Sequence, residues 1–383
     1  MTAFRLALCF FVAVSAIAPC SSDHLIWIQR SPSADPLYRF IKGDKFGYID
    51  STGKVVIPPT FRYLGGNHGA EFHDGLLEIA VSDGVYVDKS GKKVIDKGFH
   101  RGWDFSEGLA VANRKEERKW GYIDTTGEFA ISPRFDWSPN DYVWPFQDGY
   151  AKIKVAGKFG YIDRSGEFVI PPKFLEAESF RNGMARVIVD GPCVYFNSEG
   201  PCSDTISLPG TGPASQACKQ TFIDKSGRII TDQRYDDTRD FAEGLAPVKV
   251  GSFWGYIDEK GMMVIPPRFD KAAPFADGLA LVSENDKYGF IDHAGAYVAR
   301  PSWAYAESFS EGRAVVGDRY RYWYIDHDGG SPIPGKFARA SSFFKGLAHV
   351  MLLPGDPGTD ESAQRGTFAY IDTNGKRVFV YSP

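Results

Sequence analysis

The clearest pattern along the chain is a short alternation of apolar and polar positions that recurs with the same ending. In Trp254-Gly255-Tyr256-Ile257-Asp258, Trp254, Tyr256 and Asp258 fall on one face of an extended strand, and Gly255 and Ile257 on the other. Asp258-Glu259-Lys260-Gly261 predicts a hairpin turn. The Asp carboxylate accepts from backbone N–H groups, and the Gly takes the left-handed conformation that closes a type I turn with a bulge. Met263-Val264-Ile265 is the return strand, ended by Pro266-Pro267, which cannot donate to a ladder. After a linker holding Phe269 and Phe275, Gly278-Leu279-Ala280-Leu281-Val282 predicts a third strand. A short hairpin then leads into Tyr288-Gly289-Phe290-Ile291-Asp292. Each unit is a small β-meander with an aromatic face, which is stable only when neighbours bury that face.

The same ending, aromatic-Ile/Val-Asp-x-x-Gly, stands at Asp50, Asp88, Asp124, Asp163, Asp224, Asp258, Asp292, Asp326 and Asp372. Tyr195-Phe196-Asn197 with Gly200 is a degraded tenth copy. The spacings are 38, 36, 39, 34, 27, 34, 34, 34 and 46 residues. A second marker, Phe-x-Asp/Glu/Asn/Lys-Gly, runs in phase from Phe72 to Gly346, and the degraded copy lacks it. A period in this range marks a repeat architecture. The expectation is an all-β tandem array of about ten β-meanders. An open, superhelical or solenoid-like arrangement is expected because closed propellers usually have about four to eight blades. A closed propeller-like ring is the alternative. The layout reads as a signal segment at 1–20, an N-terminal linker at 21–41, and the array at 42–383 with an irregular loop at 201–220.

These motifs resemble the WG-repeat family of bacterial proteins. The match is carried by Lys119-Trp120-Gly121-Tyr122-Ile123-Asp124, by Gly255 to Pro267, and by the Phe-x-Glu/Asp-Gly-Leu-Ala signature. It covers about residues 42 to 381. Phe46, Phe159 and Tyr288 replace the Trp in some copies. The resemblance implies an all-β repeat protein, often exported or surface-associated, credited with binding and sharing no catalytic residues. It supplies no ligand.

Composition narrows the function classes. With 43% hydrophobic residues the chain has the material for a folded core, and 41 Gly and 24 Pro disfavour long helices. The formal charge of −4 argues against nucleic acid, whose phosphates require a concentrated positive field. At the N-terminus, Arg5 precedes the uncharged run Leu6 to Ala18, which is short for a membrane span but fits a signal-peptide core. Ile17-Ala18-Pro19-Cys20 resembles a lipobox, with Pro19 in place of the usual small residue. Export is expected, to the periplasm, the envelope or the medium, with lipidation at Cys20 as a further option and no span in the mature chain. Of Cys193, Cys202 and Cys218, a Cys202–Cys218 bridge would close the loop around Pro209 to Pro213, and three free thiols are the alternative.

No nucleotide, zinc-protease or serine-hydrolase motif is present, and no cofactor is expected. One Asp per turn supplies too few oxygens for calcium, so the repeated Asp reads as turn-forming. His293 and His327 occupy equivalent turn positions, but two imidazoles without a third ligand make a poor metal site. Arg114 to Lys119 reads as a solvated hairpin connection. The candidate binding residues are Trp137, Tyr142 and Trp144, in a segment that departs from the repeat. Their flat rings could anchor a protein or stack on sugar, and the competing reading is that they cover their own core. The expected function is a non-catalytic scaffold of the bacterial envelope holding a protein partner. A cell-wall or surface glycan is the alternative ligand, and a hydrolase with unrecognised carboxylates the weaker one.

Overall fold

Each aromatic-Ile-Asp strand is paired on both sides, and the pairing groups the chain into small antiparallel sheets. The computed structural model of the chain describes residues 36–62, 71–80, 84–114, 117, 119–136, 138, 142–189, 219–318, 320–359 and 366–383. Trp137, Cys20, Cys193, Cys202, Cys218, the leader expected at 1–20 and the degraded copy at Tyr195 to Gly200 lie outside these residues. The described residues form nine sheets of three or four strands, each built from consecutive strands. They are numbered here as blades 1 to 9, at residues 38–62, 76–95, 99–135, 142–174, 176–224, 237–269, 271–303, 305–325 and 339–381. The first strand begins at Tyr38, inside the stretch expected to be linker.

Blade 7 shows the full pattern, with strands a (Lys271–Ala276), b (Leu279–Glu284), c (Lys287–Ile291) and d (Tyr297–Trp303) in that order across the sheet. Strand a runs through the segment expected to be a linker. Pro274 breaks its alternation, and the register shifts between Ala272 and Phe275, so it has no clean period of two. Blades 1 and 2 lack strand a, and blades 5 and 8 lack strand d, among the described residues.

The glycine after the Trp is fixed by close approach. A Cβ on Gly255 would lie 2.4 Å from the Ile265 carbonyl oxygen, where strand d bulges at its Pro pair, and Gly121, Gly160 and Gly289 meet the same obstacle. Strand d is the outer edge, with Val264 and Val298 more than two-fifths exposed. Its prolines remove the N–H groups that would let another chain add on.

Neighbouring blades are joined by the aromatic of strand c and the Phe of the next a–b turn. The rings pair edge-on or tilted at 4.7–5.5 Å between centroids, as in Tyr161–Phe180, Phe222–Phe241 and Tyr256–Phe275, and Tyr38, a strand residue, takes the place of the turn Phe where blade 9 meets blade 1. Where the aromatic is Tyr, its buried hydroxyl usually donates across the joint. Tyr161 donates to the Glu178 carbonyl at 2.6 Å and Tyr256 to that of Ala273 at 2.9 Å.

The same contacts join blade 9 to blade 1. Tyr370 packs on Tyr38 at 5.5 Å and donates to the Arg39 carbonyl at 2.6 Å, while Tyr38 donates to the Lys345 carbonyl. Phe40 meets Phe379 at 5.0 Å. The array therefore closes into a ring, which corrects the expected open superhelix in favour of its alternative. The count corrects as well. Val187 of blade 5 pairs directly with Thr221, so residues 189–220 are one long b–c connection, and nine regular copies give nine blades.

Candidate functional site

The antiparallel order puts all a–b and c–d turns at one end of the ring and all b–c and d–a connections at the other. The turn end is spent on structure. Each repeated Asp closes its own turn, as Asp258 does by accepting the Lys260 N–H at 3.0 Å and the Met262 N–H at 2.8 Å. In six blades an acid at positive φ in the a–b turn instead reaches the next blade, whereas blades 5 and 9 carry Asn182 and Lys345 at that position. Asp74 accepts from Gly108 N–H at 2.6 Å, Asp148 from Gly183 at 2.6 Å, Asp277 from Gly312 at 2.7 Å and Glu311 from Gly346 at 2.7 Å, and Glu107 and Glu243 act alike. The result is a belt of charge-assisted bonds at six of the joints.

His293 and His327 serve this belt. His293 stacks on Phe275 at 4.2 Å with Nε2 3.1 Å from Glu243, and His327 stacks on Phe309 at 4.5 Å with Nε2 2.7 Å from the Asp277 carbonyl. Each is bound to the blade before its own. Among the described residues no three His, Cys, Asp or Glu are grouped to hold a metal.

Variation between blades is concentrated nearer the axis, where strand a of one blade lies on strands b and c of the one before. The third residue after each a–b turn glycine is paired with the aromatic of strand c. It is Glu78, Lys152, Arg186 and His349 in blades 2, 4, 5 and 9, and Arg39 holds the same register in blade 1. Val111, Pro247, Leu281 and Val315 fill it in blades 3, 6, 7 and 8. The ionisable residues thus fall on one arc, from blade 9 through blade 5. The two longest b–c connections, 352–367 and 189–220, belong to blades 9 and 5 at the ends of this arc, whereas blades 1, 4, 6 and 7 use two residues each. Sequence reading missed this position. Aligning the copies on the turn glycine would have revealed it, since the signal is a mixed column in an otherwise uniform repeat.

Across blades 4 to 6 the arc carries alternating charges. Lys152 Nζ donates to the Ala177 carbonyl at 2.7 Å and lies 3.5 Å from Glu178 Oε2. Burial lowers the Lys152 pKa, and the Glu178 charge opposes that shift. For Glu178, burial acts upward, but the Lys152 and Arg186 charges outweigh it and the carboxyl stays below its ordinary value. Arg186 Nε reaches Asp240 at 3.0 Å, and Arg181 Nε holds the other oxygen of that carboxylate at 3.1 Å.

Two of the three expected binding residues meet here. Tyr142 and Trp144 lie on strand a of blade 4 with ring centroids 5.5 Å apart, both half-buried. Lys152 Nζ covers the Trp144 ring at 4.4 Å, Phe159 packs on it at 5.6 Å, and its carbonyl accepts the Tyr122 hydroxyl at 2.7 Å. Trp144 thus has a structural part, and Tyr142 sits at its loop-end side.

Glu78, in blade 2, has a buried carboxyl oxygen without a hydrogen-bond partner among the described residues. Burial, aided by the Asp104 charge, pushes its pKa up to about 8. A raised carboxyl favours the fold fully below its unfolded value and loses that contribution as pH rises through the folded one. Glu78→Gln is expected to raise the melting temperature at pH 9 and leave it nearly unchanged at pH 4, measured by calorimetry.

A ring of antiparallel sheets around an axis, with strand a innermost and strand d outside, defines a β-propeller, here of nine blades. The WG containing repeat family matches residues 46–69, 86–116, 120–159, 159–191, 221–252, 254–288 and 288–321, more than half of the chain. The chain belongs to the WG-repeat family. No curated protein matches it. Among solved structures, a crystal structure of the eukaryotic initiation factor is similar at a TM-score of 0.61 and 9% identity, over 91% of this chain and 96% of that one. AztD from Citrobacter koseri reaches 0.37 at 10% identity, over 78% of this chain and 91% of that one. The dihydro-heme d1 dehydrogenase NirN reaches 0.38 at 11% identity, over 80% and 72%. The first likeness is one of fold, and the other two carry no argument.

Proposed function

We propose that this repeat propeller serves a binding role, because its core is spent on joining blades and its surface is free to vary. We propose that this chain is a non-catalytic scaffold of the bacterial envelope, exported by its leader, whose loop end over blades 9 to 5 holds a protein partner. One observation carries the reading: the ionisable inner positions and the two longest b–c connections fall on the same arc, and blades 6 to 8 have neither. Such co-location is expected of a recognition face and not of a uniform ring. Among the described residues no helix is long and apolar enough to cross a membrane.

Photo-cross-linking residues placed at Lys42 and Lys158, on the arc, and at Asp286, in the blade 7 hairpin, test this in cells. Discrete protein adducts from the first two positions and none from the third support the reading. Equal adducts from all three, or none, overturn it. Glycan recognition is the second reading, favoured by the paired rings of Tyr142 and Trp144. It requires salt-resistant co-sedimentation with insoluble cell-wall glycan that a Tyr142→Ala variant loses.

A further inference from the structure

The row of charges across blades 4 to 6 ends on Arg239, directly after strand a of blade 6 (Asp237–Thr238). Burial lowers its pKa, with the Asp237 charge acting against that shift, and burial lowers the pKa of Lys152 as well. The two cations differ in what answers them. Lys152 has the Ala177 carbonyl and Glu178. The Arg239 guanidinium has no hydrogen bond or ion pair among the described residues. Its carbon lies 5.2 Å from the centroid of the Trp254 ring. A ring face attracts a guanidinium but leaves its N–H groups available to an acceptor. The nearest carboxylates are engaged elsewhere: Asp240 is held by Arg181 and Arg186, and Asp237 accepts the Thr238 N–H at 2.8 Å.

A second donor stands on the next blade. Strand a of blade 7 lies on strands b and c of blade 6, and its first residue, Lys271, donates to the Tyr288 hydroxyl oxygen at 3.3 Å. With its oxygen accepting from Lys271, the Tyr288 O–H remains able to donate. That hydroxyl is close enough to Arg239 to act on its charge. Arg239 is also exposed, although burial perturbs it. This combination is expected of a group walled by protein and still open to water, as on the inner side of a ring. The b–c connections of blades 6 and 7, Gly251-Ser252 and Asn285-Asp286, are too short to fold over it.

We infer that Arg239, together with the Tyr288 O–H, binds a singly charged carboxylate on the inner side of blades 6 and 7. Charge sets the ligand class. Lys152, Arg181, Arg186 and Arg239 stand against Glu178, Asp237 and Asp240, so the row carries one excess positive charge. One carboxylate neutralises it, and the planar fork of a guanidinium matches a carboxylate's two oxygens. A phosphate dianion would leave the row negative. The site lies off the arc of blades 9 to 5 and stands whether or not that arc holds a protein.

Modification of arginines by phenylglyoxal, mapped by mass spectrometry on the full chain, tests the site. Chloride is replaced at equal ionic strength by N-acetylglycine, a free carboxylate, or by an end-capped tripeptide carrying one glutamate. Either probe in excess of its dissociation constant should slow modification of Arg239 about threefold or more. Exposed Arg300, on the outer strand d of blade 7, should react at an unchanged rate. Protection by the free acid alone assigns a small carboxylate, and protection by the peptide assigns an acidic side chain of a partner. Tyr288→Phe, which keeps the ring, should lose most of the protection while the rate in chloride stays the same. Protection by neither probe, stronger protection by phosphate than by both, or full protection in Tyr288→Phe would overturn the inference.

Discussion

Tyr256→Ala is expected to cost about 4 kcal/mol of stability, near the top of the range for a buried aromatic truncation. The Tyr256 ring is fully buried between blades 6 and 7, packed on Phe275 at 5.2 Å, and its hydroxyl is bonded to the Ala273 carbonyl. Removing the ring leaves a cavity in a joint where the strand a carbonyl has also lost its donor. Tyr256→Phe should cost about 1 kcal/mol, the usual net worth of one hydrogen bond. Phe222 and Phe290 already hold the equivalent place in blades 5 and 7 without a hydroxyl. Urea unfolding of both variants reads the two costs. A cost below about 1 kcal/mol for the alanine variant would mean that the blades do not depend on this joint.

Acid is expected to weaken the ring at one joint in particular. His349 stands between blade 9 and blade 1, stacked on Phe368 at 5.2 Å and on Tyr381 at 5.9 Å, with Nε2 3.0 Å from the Tyr381 hydroxyl. Burial, with the Arg39 charge adding to it, holds its pKa down to about 4 from an ordinary 6.5. Above pH 6.5 the imidazole is neutral in both folded and unfolded chain, and the joint keeps its full strength. As pH falls below 6.5 the unfolded chain takes the proton first, and stability declines until the folded state also titrates near 4. The loss over that window is about 3 kcal/mol. His349→Leu should remove this part of the slope, seen as melting curves that diverge from the parent between pH 6.5 and 4. Parallel curves would contradict it.

Much of the fold is legible in the sequence because its rules are local. The Asp-x-x-Gly turn, the Pro-stopped return strand and the Trp-Gly alternation each lie within a few residues, so nine copies could be read off the chain. Strand a was hidden by Pro145 and Pro274 in blades 4 and 7, which spoil the period that marks a strand, and by its length of only two residues in blades 5, 6, 8 and 9. Closure was hidden for a different reason. The contact that makes the ring joins Tyr38 to Tyr370, and Tyr38 sits ahead of the first Asp-x-x-Gly copy, in a stretch without the Phe-x-x-Gly marker. The tenth copy misled the count because Tyr195 to Gly200 keeps the motif inside a long connection, while Val187 pairs past it to Thr221.

The candidate site was half legible. Tyr142 and Trp144 stood out as departures from the repeat, and the structure brings them together. Lys152, Arg186 and His349 did not stand out, since a single charged residue in a β-strand is ordinary and becomes meaningful only beside its eight equivalents. His293 and His327 were legible as a pair, and each turns out to be bound to the blade before its own.

The central claim is that blade 9 packs on blade 1 and closes the ring. A distance measurement by paired spin labels at Thr52 and Lys376, attached orthogonally to the native cysteines, tests it directly. Both residues are exposed and flank the joint, where a Cβ on Gly53 would lie 2.4 Å from the Val378 carbonyl oxygen. A closed ring gives one narrow distribution below about 20 Å, since stacked sheets are about 10 Å apart. An open stack of nine sheets at that spacing would put the labels roughly 80 Å apart, and a distribution at such lengths would contradict the ring.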